Sequence, residues 1–310
     1  MQRSAQTRYA IISAGTNSCR LLVAVSDDAT GVLRAEYHET RGTRLGEGVN
    51  ERRRLSAEAI DRTLAAVHDY AEIARGAART FGIGTSALRD AENASTFADG
   101  FLKATGVALE ILSGGEEAAS SFEGALSGLR AAGRTIPAQL TVVDVGGGST
   151  EFATRSAEGQ DAAGASLQIG AVRLTERFLT GDPPPSADVE RCRQAIRAAL
   201  RDLPSEVRPR GSLVAVGGTA STAARMLQLI DESTAGGICD VAAADISALL
   251  KATLAMPVRE RARLRGLPAQ RADIFPAGLM IVDETVREAG AASLTVCQAD
   301  LLLGYVSRHM

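Results

Sequence analysis

The chain has 310 residues, a hydrophobic fraction of 45%, a charged fraction of 23% and a formal net charge of −3. That is the balance of an ordinary globular protein, long enough for two domains with a cleft between them. It gives no global basic field for nucleic acid, and no apolar run is long enough for a membrane-spanning helix.

The opening MQRSAQTR is polar and leads directly into a strand, which leaves no room for a signal peptide. Cys19, Cys192, Cys239 and Cys297 form no CxxC pair, so they read as reduced thiols of a cytoplasmic protein. Three histidines, His38, His68 and His309, are too few for a His-rich metal centre. The only lysines are Lys103 and Lys251, and neither stands in GxxxxGK[ST], which excludes a Walker-type phosphate loop.

Strands alternate with helices along the chain, the pattern of an α/β fold. Residues 9–15 and 19–25 read as strands flanking a Gly-containing turn, and a third strand is expected from Gly31 to about His38. Between Ser56 and Arg75 the apolar positions Ile60, Leu64, Val67, Ala71 and Ala74 mark an amphipathic helix with Ser56 as N-cap. His68 falls off that stripe and reads as a surface residue. Strands are expected at 79–84 and 107–112, and a helix from about Glu116 to Arg130. AAGRTIPAQ, at 131–139, reads as a linker, which sets domains at 1–130 and 131–310.

The strand–turn–strand pattern then restarts in LTVVDVGGGSTEF. In register with YAIISAGTNSCRLL it places Gly146 on Gly15, Ser149 on Ser18 and Asp144 on Ser13, an internal repeat that suggests duplicated domains. Further on, DPPPSA precedes a helix carrying Val189, Cys192, Ile196, Leu200 and Leu203, with Cys192 in its apolar stripe. The strand 212–216 runs into GGTAST, which opens another helix, and a last strand near 293–297 leads to a short terminal helix.

Three Gly turns follow strands: AGTNS, GGGST and GGTAS. Glycine lets backbone approach a ligand closely, and exposed N–H groups beside Ser/Thr hydroxyls suit phosphate oxygens. Asp144 at its strand end suits a hydrated Mg²⁺, and Glu151, across the turn, could reach the same ion or its waters. In SGGEEA, the Ser113–Glu116 spacing fits a capping box, which leaves Glu117 as the glutamate available for general-base chemistry. Arg89 in TSALRDAEN and Arg44 in TRLGEGVN are of the type that grips phosphate.

AGTNSCRLL, TRLGEGVN, TSALRDAEN, ILSGGEEA, VVDVGGGSTE, QIGAVRLTERF, VGGTAS and QRADIFPAG, in this order, resemble the exopolyphosphatase/guanosine pentaphosphate phosphohydrolase family in its short form. The resemblance covers nearly the whole chain. It implies an α/β fold of the actin/sugar-kinase superfamily, with two ribonuclease-H-like domains facing a central cleft. It also implies a phosphohydrolase that removes the terminal phosphate of inorganic polyphosphate, or the 5′-phosphate of guanosine pentaphosphate, with water and Mg²⁺. A homodimer is a further expectation from it.

Carried over by motif, Glu117 takes the catalytic glutamate's place, with Arg89 as the arginine at the transferring phosphate. Asp144 and Glu151 are the metal-associated acids. Thr16, Asn17, Ser18, Arg44, Gly146, Gly147, Gly148, Ser149, Gly217, Gly218 and Thr219 form the phosphate-binding loops. Two departures stand out. The family's first loop normally begins with Asp where this chain has Ser13, and Cys297 stands where Ser is usual, without the polar residues that normally follow. Loss of the acid at Ser13 predicts a weakened or altered metal requirement, and in the extreme a phosphate-binding sensor with little turnover.

Overall fold

The structure is a computed structural model, and residues 6–27, 32–159, 161–230 and 237–310 are described. The chain forms two compact units, one of residues 1–113 with 302–310 and one of residues 114–301.

The first unit holds β1 (Gln6–Ala14), β2 (Cys19–Asp27), β3 (Leu33–Arg41), β4 (Arg79–Gly84) and β5 (Leu109–Ile111). Their order in the sheet is β3-β2-β1-β4-β5, an antiparallel meander continued by two parallel strands. The third strand, expected from Gly31 to about His38, has its first expected residue outside the described ones; from Leu33 it runs on to Arg41. The amphipathic helix appears as Ala57–Ala74, with Ser56 accepting the Ala59 N–H at 3.2 Å as N-cap. Its Val67 and Tyr70, with Phe97 and Phe101 of the helix Ala94–Thr105, close the core over β1 and β2.

The second unit holds β6 (Leu140–Val145), β7 (Thr150–Arg155), β8 (Ala162–Leu167), β9 (Ser212–Val216), β10 (Ile238–Ala242) and β11 (Ser293–Cys297). The order is β10-β11-β9-β6-β7-β8. Read from the β8 edge, it is again a meander followed by two parallel strands, with β10 added antiparallel at the far edge. The two units therefore share the ribonuclease-H-like strand order, as the internal repeat predicts. The second core is closed by Cys192, Ile196 and Leu200 of the helix Ser186–Arg201 and by the helix Phe275–Glu288.

The division between the units differs from the expected 130/131 boundary. The helix Gly114–Ala131 belongs with the second unit because Ala118, Phe122, Ala125 and Leu129 pack on Leu140, Val142 and Ala153 of its sheet. The terminal helix Leu301–His309 returns to the first unit for most of its length. There Tyr305 packs edge-on to Phe81 at 5.5 Å and Arg79 donates to the His309 carbonyl at 2.8 Å. Among the described residues no helix is long and apolar enough to cross a membrane.

Candidate active site

The first two Gly turns are the same object built twice. Gly15 N–H donates to Ser18 O at 3.0 Å, and Gly146 N–H to Ser149 O at 3.0 Å. A Cβ on Gly15 or Gly146 would stand 3.0 or 2.9 Å from that carbonyl, so a side chain at either position would crowd the turn.

In the second turn the carbonyls are held from one side. Ala171 N–H donates to Gly146 O at 2.9 Å, Val172 N–H to Gly147 O at 2.8 Å and Arg173 Nε to Gly148 O at 2.7 Å. Peptide planes whose carbonyls point one way present their N–H groups the other way, and this is how a loop makes an anion nest. Gly170 allows the approach, since its Cβ would fall 2.4 Å from Gly147 O. Nothing in QIGAVRLTERF as a sequence marks Gly170 or Arg173; their contacts with the loop arise only on folding.

Beside this loop stand Asp144, Glu151 and Glu117, each at most 8% exposed. Asp144 on β6 lies directly opposite Glu151 on β7, so their side chains share one face of the sheet. Glu117 sits in the first turn of the helix Gly114–Ala131. Burial, then the charges of Glu117 and Asp144, push the Glu151 carboxyl well above the ordinary carboxylate range, against hydrogen bonds from Ser149 and Ser166. Ser121 donates to Asp144 Oδ2 at 2.8 Å and Ser166 to Glu151 Oε1 at 2.8 Å. Neither serine was singled out in the sequence.

Buried carboxylates that repel one another call for a proton or a cation. Among the described residues no group of three His, Cys, Asp or Glu side chains converges enough to ligate one ion directly. The facing carboxylates of Asp144 and Glu151 have the donor chemistry for a hydrated divalent ion such as Mg²⁺, which takes one or two carboxylates and keeps several waters.

The third turn opens the helix Gly217–Met226. Gly217 has φ +79°, and a Cβ there would lie 2.2 Å from Asp144 Oδ1, so glycine is required by both backbone and neighbour. A Cβ on Gly218 would meet the Arg271 guanidinium at 2.1 Å, which brings Arg271 of QRADIFPAG to this loop. Thr219 is buried, with its hydroxyl 3.4 Å from Val145 O.

In the first unit the loops around β1 converge in their turn. Arg44 N–H donates to Asn17 O at 2.9 Å, Gly46 N–H to Thr16 O at 2.9 Å and Thr85 N–H to Ala14 O at 3.3 Å. Thr16, Asn17 and Ser18 are buried, and Asn17 Nδ2 donates to Ser18 Oγ at 3.1 Å. Arg89 is anchored by Nη1 on the Leu112 carbonyl at 2.7 Å. Asn17 Oδ1, Thr43 Oγ1 and Ser86 Oγ are buried without a hydrogen-bond partner, the condition of a loop built to receive a polar ligand.

The register also shows what replaces the acids here. Ser13 pairs with Arg20 across β1 and β2 at the place where Asp144 pairs with Glu151 across β6 and β7. The first unit thus carries a hydroxyl and a cation where the second carries two carboxylates.

The structure brings Glu117, Asp144, Glu151, Gly146–Ser149 and Gly217–Thr219 together in the second unit. It gathers Thr16, Asn17, Ser18, Arg44 and Arg89 in the first.

Residues 24–308 match the model of the Ppx/GppA phosphatase family. The chain belongs to this family. It is 39% identical over 321 aligned residues to exopolyphosphatase 2 of Mycobacterium tuberculosis, covering 97% of this chain and 98% of that protein. The crystal structure of the Aquifex aeolicus Ppx/GppA family member superposes with a TM-score of 0.79 at 27% identity, over 98% of this chain and 97% of that one. An exopolyphosphatase from Cytophaga hutchinsonii shares the fold, with a TM-score of 0.86 at 24% identity over 97% and 96% of the two chains. As a Ppx/GppA protein the chain is a phosphohydrolase with the actin-like two-domain fold.

Proposed function

We propose that this protein is an exopolyphosphatase, hydrolysing the terminal phosphoanhydride of linear inorganic polyphosphate with water and Mg²⁺. The observation that carries the reading is the buried group of Glu117, Asp144 and Glu151 beside a loop whose Gly146, Gly147 and Gly148 carbonyls are held by residues 171–173. The likeness to exopolyphosphatase 2 along nearly the full length of both chains supports the choice of substrate.

Asp144 and Glu151 would hold Mg²⁺ through its waters, and the bound ion would supply positive charge to phosphate oxygens. The N–H groups of Gly147, Gly148 and Ser149 and of Gly217–Thr219 donate to the phosphate that carries developing negative charge, while the Gly146 N–H closes the loop on the Ser149 carbonyl. Glu117 accepts a proton from the water that attacks phosphorus. In the first unit Thr16, Asn17, Ser18, Arg44 and Arg89 are assigned as phosphate contacts, with Arg89 oriented by the Leu112 carbonyl. The cysteines form no disulfide, and Cys19, Cys192 and Cys297 are buried thiols, in keeping with a cytoplasmic setting.

A second reading, a polyphosphate or nucleotide sensor with weak turnover, is favoured by Ser13 and Arg20 alone. Phosphate release from long-chain polyphosphate in Mg²⁺, run beside guanosine pentaphosphate, tests both. Release from polyphosphate in preference to guanosine pentaphosphate supports the proposal. Tight polyphosphate binding without release favours the sensor, and preference for guanosine pentaphosphate moves the substrate to the nucleotide.

A further inference from the structure

Ser121 stands one helical turn beyond Glu117 in the helix Gly114–Ala131, so both side chains leave the same face of the helix. It is 1% exposed, on a helix whose Ala118, Phe122 and Ala125 pack into an apolar cluster. A helical serine ordinarily turns its hydroxyl back to its own helix. Ser121 instead donates to Asp144 Oδ2 at 2.8 Å, linking the glutamate-bearing helix to β6. The other oxygen, Asp144 Oδ1, is confined by Gly217, where even a Cβ would come within 2.2 Å.

We propose that Ser121 is a positioning residue for the cation site: it fixes the rotamer of Asp144 by occupying one carboxylate oxygen, and so presets the other for a hydrated divalent ion. The inference rests on the reading of Asp144 as a metal-associated acid. It adds a residue to which no metal role has been given. Hydrogen bonds to ligating carboxylates characteristically govern metal affinity by restricting the ligand before the ion arrives.

The test is Mn²⁺ binding to the full-length protein without substrate, followed by electron paramagnetic resonance of the free ion. Ser121→Ala is expected to weaken binding about tenfold. Ser121→Cys, similar in size but a weak donor, should weaken it alike, which keeps the test valid should the alanine variant fold poorly. Ser121→Thr, which retains the hydroxyl, should recover most of the affinity. Phe122→Leu disturbs packing of the same helix and should lower thermal stability while leaving Mn²⁺ affinity unchanged. In hydrolysis, the Ser121→Ala rate should recover at saturating cation.

Wild-type affinity in both Ser121→Ala and Ser121→Cys would overturn the inference while leaving the cation reading intact. Equal weakening in Phe122→Leu would also overturn it, because the effect would then belong to packing. No Mn²⁺ binding by the wild-type protein would overturn the cation reading itself.

Discussion

Replacing Gly217 with alanine tests whether the third turn serves Asp144 or merely reverses the chain. Two penalties are separable in the structure. The first is backbone strain: φ is +79°, and an L-residue there loses about 1–2 kcal/mol. The second is collision, because the new Cβ would stand 2.2 Å from Asp144 Oδ1 and the carboxylate must move. Moving it breaks the bond from Ser121, worth about 1–3 kcal/mol for a buried charged acceptor. The expected total is about 2–5 kcal/mol.

Gly133 supplies the control within the same unit, with φ +65° and nothing within 4 Å of its Cβ. Gly133→Ala should lose only the strain, about 1–2 kcal/mol. Urea denaturation of both variants, paired with Mn²⁺ titration, reads the difference. Gly217→Ala should be the less stable by at least about 1 kcal/mol and should bind Mn²⁺ at least about tenfold more weakly. Equal destabilisation of the two variants with unchanged Mn²⁺ affinity would refute the reasoning.

Other predictions follow from the same geometry. Because burial and neighbouring charge raise the Glu151 carboxyl in the folded state, its favourable contribution is complete below the unfolded-state value and is lost as pH rises through the folded value. Metal-free protein in chelator should therefore melt at a lower temperature at pH 8 than at pH 6, and Glu151→Gln should flatten that slope; a slope unchanged in the variant would contradict it. Arg89→Ala removes a guanidinium aimed by Leu112 and should raise KM for polyphosphate about tenfold or more, with thermal stability near wild type. An unchanged KM would remove Arg89 from the phosphate contacts. Ser13→Asp sets a carboxylate opposite Arg20 and should tighten Mn²⁺ binding or add a second equivalent. Identical Mn²⁺ isotherms would show that the missing acid has no bearing on the cation.

The fold was readable in the sequence where glycine and strand patterns coincide. AGTNS and DVGGGST each carry a strand on both sides, and their registration anticipates duplicated units, whose sheets share a five-strand order with β10 added to the second. Cys192 and Ser56 fall where periodicity places them, in the core and at the helix start.

Other elements gave weaker signals. β8 reads AAGASL, with small residues and no alternation, so neither the strand nor Ser166 within it announces itself. The helix Phe275–Glu288 is apolar through most of its length and then buries Asp283 and Glu284. Their partners, Arg193 and Arg197, come from the helix Ser186–Arg201, which no local pattern could supply. The boundary at 130/131 was misplaced because a Gly/Pro-containing loop marks a turn, whereas packing of Phe122 and Leu129 decides which sheet a helix joins. Among the candidate site residues, acids and glycines stand out by type and spacing. Ser121, Arg173 and Arg271 act through partners distant in sequence and become visible only by contact.

The central claim is that Glu117 activates water at a phosphate held beside Asp144 and Glu151. Phosphate release from long-chain polyphosphate in saturating Mg²⁺, compared between wild type and Glu117→Gln, tests it most directly. The account predicts robust release by wild type and a rate at least about a hundredfold lower in Glu117→Gln, with polyphosphate binding retained. Equal rates in the two proteins would contradict it.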